Sequence, residues 1–186
     1  MIIAPVLFGI STFFWQNHEY GVAAAAMIAI ASVFWIPALT GLFGFLKGKM
    51  PRYYAIGLFV AIYGACMGGM AFALLGYFTT IFHIPHQAYL KTLAQYPFSS
   101  GLLIFWAGPL FPLSLLVLGI NLLQRKAVAG WLGIMICLGA IAFPFGRILR
   151  NEMIAHLTDL LFAVPFVVIG FQLIAATSKL DFNEVK

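Results

Sequence analysis

Charge is what this sequence has least of. Asp, Glu, Lys and Arg make up 8% of its 186 residues, against ~25% in an ordinary soluble domain. A water-soluble fold of this length needs more polar surface than that. A soluble enzyme, a nucleic-acid-binding domain and a disordered chain are therefore excluded. Cysteine is nearly missing as well, and Cys66 and Cys137 both fall inside apolar runs. That excludes a disulfide-stapled secreted domain and leaves the two as small core hydrophobes. No lysine lies within an apolar run, which removes a retinal Schiff base. Phosphate-loop, His-Glu-x-x-His and Gly-x-Ser-x-Gly patterns are missing too, and without Cys-x-x-Cys-His there is no covalent haem attachment.

Hydrophobic residues fill 63% of the chain and the mean hydropathy is +1.04. A helix needs about 20 apolar residues to cross a hydrocarbon core of roughly 30 Å. Five stretches qualify: 22–46, 54–82, 102–123, 128–146 and 153–176. A sixth, 2–15, is uncharged but short, and its Gln16-Asn17-His18-Glu19 flank does not resemble a signal-peptide cleavage site. The expected fold is all-α, a polytopic membrane helix bundle of about six transmembrane helices forming one integral membrane domain over 1–186.

The net charge of +5 sits in short clusters between the apolar runs, suited to a lipid bilayer rather than to nucleic acid. With both termini cytoplasmic, Lys47, Lys49, Arg52, Arg125, Lys126, Lys179 and Lys186 collect inside, and only Lys91, Arg147 and Arg150 lie outside. That distribution obeys the positive-inside rule and predicts a multi-pass protein of the plasma membrane or a bacterial inner membrane. All four histidines (His18, His83, His86 and His156) then fall on the outer side. The longest loop, from His83 to Ser100, is also outside and has the turn formers and aromatics of a short interfacial helix.

Prolines at 37, 109, 112, 144 and 165 predict kinks, since each removes a backbone donor in a medium with no water to replace it. In Gly64-Ala65-Cys66-Met67-Gly68-Gly69, Gly64 and Gly68 leave one helix face nearly bare, so a second helix can approach closely. That helix comes from the same chain, from a second copy in a homo-oligomer, or from a membrane partner subunit. A weak internal echo links Phe34-Trp35-Ile36-Pro37 with Phe105-Trp106-Ala107-Gly108-Pro109.

The residues needing explanation are those that dislike lipid. Glu152, His156 and Asp159 are spaced by four and three, which aligns them on one helix stripe. Asp159 lies ~10 Å past Glu152 along the axis, deep enough that an ionised carboxylate needs a partner. Arg147, across the short turn, is the nearest cation by connectivity.

One reading is a structural clasp, with Arg147 and Arg150 paired to Glu152 and Asp159. Another is a polar pocket at the outer face in which Arg147, Arg150, Glu152, His156 and Asp159 recognise or pass a small molecule or ion. A third places zinc on His83, His86, His156 and Asp159, as in a metal-dependent membrane-embedded hydrolase. Bundle-bound haem on axial histidines is a weaker alternative, and no cofactor is assigned. A non-catalytic accessory subunit, seated through Gly64 and Gly68, is the remaining one. The function expected from the residues is recognition or transport of a small molecule or ion.

Overall fold

The computed structural model describes residues 1–16 and 19–184, except for the side chains of His86 and of residues 177–184. His18, Lys179 and Lys186 therefore lie wholly or in side chain outside the described residues. The chain is 82% helical. It opens with α1 (Ile3–Thr12), followed by a minimal hairpin of β1 (Trp15–Gln16) and β2 (Glu19–Tyr20), with Trp15 opposite Tyr20 and Gln16 opposite Glu19. Then come α2 (Val22–Gly44), α3 (Pro51–Ile81), a surface helix α4 (His86–Leu93), α5 (Pro97–Gln124), α6 (Gly130–Ile148) and α7 (Glu152–Glu184). Five of these, α2, α3, α5, α6 and the stretch of α7 up to Ala176, are long and apolar enough to cross a membrane. The molecule is an integral membrane helix bundle.

The first segment, expected over 2–15, forms a shorter helix of 10 residues, ~15 Å at 1.5 Å per residue. The helix stops where Ser11 and Thr12 turn their hydroxyls into the bundle, both buried. Phe13 and Phe14 beyond them are exposed, in the manner of interfacial aromatics. Met1 and Ile2 rest against Gly41 of α2 and Gly170 of α7, so α1 is wedged between those two helices.

Gly64 and Gly68 serve packing within the chain. A Cβ on Gly64 would stand 2.5 Å from the backbone nitrogen of Phe111, and one on Gly68 2.5 Å from the Cα of Gly108. Helix α3 thus lies directly on α5, an approach that only a missing side chain permits.

Three of the long helices contain a π turn: Gly64–Ala71 in α3, Gly101–Phe105 in α5 and Pro144–Ile148 in α6. Widened turns strand carbonyls, and one finds a donor at once. The Tyr63 hydroxyl donates to the Leu102 carbonyl at 2.6 Å, replacing the water that hydrocarbon cannot supply.

Mid-bundle, Trp35 (1% exposed) makes edge contacts with Phe8, Phe111, Phe162 and Phe166 at ring separations of 5.0 to 6.4 Å. Trp106, its counterpart in the sequence echo, is 55% exposed on the bundle surface. The two tryptophans therefore occupy different environments.

Candidate functional site

Arg147, Asp159, Thr12, Arg150 and Glu19 come together where α1 ends, α6 turns into α7, and the β1–β2 hairpin closes over them. Arg147, in the π turn of α6, is 3% exposed and meets Asp159 of α7, 5% exposed, at 2.6 Å. Thr12 completes the arrangement from α1. Its hydroxyl has one proton, donated to the second Asp159 oxygen at 2.5 Å, and its lone pair accepts from Arg147 Nη2 at 2.7 Å. Arg147 Nη2 also donates to the Phe8 carbonyl at 2.9 Å. That carbonyl lies in the last turns of α1, where the helix dipole is negative and acceptors lack partners inside the helix. The guanidinium lies over the Phe8 ring, 4.1 Å from its centroid, adding a cation–π contact in a water-poor setting.

Arg150 forms a second station. Its φ of 60° is the left-handed conformation that often closes a helix, and there the side chain turns back over the bundle. It pairs with Glu19 of the hairpin at 3.6 Å and stacks on Tyr20, 4.1 Å from the ring centroid. The clasp expected within the α6–α7 turn is thus made with Asp159 for Arg147, whereas Arg150 turns to the hairpin. Glu152 is exposed in the first turn of α7. His156 is half-buried against Phe13, at a ring separation of 4.5 Å.

Between these stations and Trp35 lies a cavity of about 220 Å³. All three π turns contribute to its wall, through Gly68 and Gly69, Ile104 and Phe105, and Arg147 and Ile148. A second cavity of about 110 Å³ lies next to it, lined by Glu19, Thr79, Thr80 and Tyr89 and sharing Tyr20, Phe72 and Arg150 with the first. Arg150 therefore stands between a polar vestibule and an aromatic chamber. The Tyr89 phenol is pushed up from its ordinary value, by partial burial first and by nearby Glu19 second, with Arg150 opposing.

Trp15 Nε1, Trp35 Nε1, Arg147 Nε and Arg150 Nη1 are buried donors with no hydrogen-bond partner among the described residues; protein atoms enclose them, and they do not open onto the chamber.

No protein-family model matches the chain, and no curated protein or solved structure does either.

The four residues proposed for zinc are not gathered. Among the described residues, no three His, Cys, Asp or Glu side chains form a group that could hold a metal ion. His83 is exposed at the end of α3, Asp159 is engaged by Arg147 and Thr12, and the His86 side chain lies outside the described residues. Sequence reasoning does not name Ser11, Thr12 or Phe8 as site residues, and it meets Trp35 only in the internal echo and Glu19 only as an acid flanking the first segment. For Ser11 and Thr12 a signal existed, as hydroxyls closing an uncharged run. For Glu19 the partner is visible only once the hairpin is folded.

Proposed function

We propose that this integral membrane protein recognises a small molecule in the chamber between Trp35, Arg147 and Arg150. The observation that carries the reading is the convergence of three π turns on the wall of one cavity of about 220 Å³, since such turns gather at functional sites. Vestibule and chamber share Arg150, which gives a solute an approach from the hairpin end. The skew of basic residues supports a non-cytoplasmic position for that end.

Recognition is favoured over ion passage because Asp159, the one buried acidic group among the described residues, already has a cation and a hydroxyl on its two oxygens. The test is native mass spectrometry of the protein released from mild detergent. Wild-type protein should carry a bound species of constant mass. Gly108→Leu should carry none, because Gly108 lines the chamber and a Cβ there has nothing within 4 Å. Wild type and variant equally empty would refute the reading.

A further inference from the structure

Ser32, Arg147 and Arg150 are polar side chains on the chamber wall, and each is already engaged by the protein. Ser32 donates to the Ile28 carbonyl at 2.8 Å, Arg147 is bonded to Asp159, Thr12 and the Phe8 carbonyl, and Arg150 is paired with Glu19. Most of the remaining wall is apolar, with the rings of Phe8, Trp35, Phe111 and Phe143 and the bare backbone of Gly108 among it. An apolar cavity stays free of water and takes up apolar solutes instead.

The packing of α5 on α6 leaves a way in from the side. At one end the two helices are pressed together: a Cβ on Gly119 would stand 2.6 Å from Cys137 Sγ, and one on Gly133 2.7 Å from Leu123 Cγ. Ala107–Gln124 packs along Gly130–Phe143, but the π turns at the chamber end lean elsewhere, Gly101–Phe105 on the π turn of α3 and Pro144–Ile148 on α7. The two helices therefore part toward the chamber. Its exposed lining residues, Phe105, Pro109 and Ile148, all belong to this pair. Both helices are apolar spans, so in a membrane the gap between them faces hydrocarbon.

We infer that the chamber takes the apolar tail of a membrane lipid, which enters sideways from the bilayer between the π turns of α5 and α6, past Phe105 and Ile148. This rests on the reading of the chamber as a binding site and names the class of its ligand. At about 220 Å³ the chamber is smaller than the ~300–1,000 Å³ of pockets that enclose a whole drug-sized molecule, so it holds the tail and leaves the head group outside the bundle. Water exclusion does not drive the step, because the tail leaves one hydrocarbon environment for another. Dispersion does. Walls around an unfilled void lack contact partners, and a packed protein interior offers a chain denser contact than fluid hydrocarbon.

The experiment reads Trp35 as the single tryptophan of the full-length chain, after Trp15→Phe, Trp106→Phe and Trp131→Phe. The protein is reconstituted in phosphatidylcholine bilayers with plain or brominated acyl chains. Bromine quenches tryptophan at short range, and Trp35, on the chamber wall, is 1% exposed and ringed by phenylalanines. Trp35 should lose at least half of its emission in the brominated bilayer. Gly108→Leu, which fills the chamber, should restore most of it, and Ser32→Phe, filling it from α2, should do the same should the first variant fold poorly. Emission undiminished by the brominated chains, or quenching unchanged in both filled variants, would overturn the inference. Quenching by aqueous iodide as strong as that by brominated chains would overturn it as well, because the chamber would then open to water instead of to lipid. In each of those cases the mass spectra decide on the chamber itself: a species bound to wild type and missing from Gly108→Leu keeps it a binding site, and its absence removes that reading too.

Discussion

Removing one member of the Arg147–Asp159 pair should hurt far more than removing both. The pair is almost wholly buried, at 3% and 5% exposure, and Asp159 has no other cation within 4.0 Å among the described residues. In Asp159→Leu the guanidinium keeps Thr12 and the Phe8 carbonyl but loses its counter-charge. In Arg147→Met the carboxylate keeps only a hydroxyl. Breaking a buried pair from one side costs about 3–5 kcal/mol, whereas exchanging the whole pair for apolar side chains of similar volume is often neutral. For a chain of this size, ~2–4 °C per kcal/mol puts each single variant on the order of 10 °C below wild type. The double variant should recover most of that loss. Thermal unfolding in detergent, followed by tryptophan emission for all four proteins, closes the cycle. Single effects that simply add, to within about 0.5 kcal/mol, would refute the pairing as the source of stability.

Gly68→Ala should lower stability by about 1–3 kcal/mol, because the new methyl group meets the backbone of α5 and the helices must part; Gly44→Ala, where nothing lies within 4 Å, is the control that should not, and equal Tm values would contradict the close packing of α3 on α5. Tyr89 keeps its proton in the folded state above the ordinary phenol value, so stability present below pH ~10 should decline as pH rises further. Tyr89→Phe should flatten that alkaline limb in a pH series of melts. A cysteine placed at Asn151 should react with a membrane-impermeant maleimide added outside intact cells, and labelling only after the cytosol is opened would reverse the orientation.

Hydropathy alone was enough to locate the five long helices, because lipid demands about 20 apolar residues wherever a helix crosses. The observed bounds differ from the expected ones mostly where turns of modest polarity extend a helix, as Pro97–Ser100 do for α5. The contact of Arg147 with Asp159 was legible for a local reason. A short turn joins antiparallel helices, and a carboxylate at depth has few cations to choose from.

The rest of the site was not legible. Thr12, Ser11 and Phe8 reach Arg147 across 135 to 139 residues of sequence, a separation that no periodicity encodes. The bounds of the first segment were less legible: expected over 2–15, its helix runs over Ile3–Thr12 and ends where the Ser11 and Thr12 hydroxyls turn to the ion pair. The π turns escaped as well. Proline at 144 signals a disturbed backbone without saying which way it gives, and the glycines of α3 signal close packing rather than a widened turn. The chamber follows from those turns and so could not be foreseen from residue types alone.

The chamber walled by the three π turns is where a small molecule is expected to bind. An experimental structure of the protein in lipid nanodiscs, resolved well enough to place side chains, tests this most directly. Non-protein density in the chamber beside Trp35 is the expected result, and an empty chamber closed by its own side chains would contradict it.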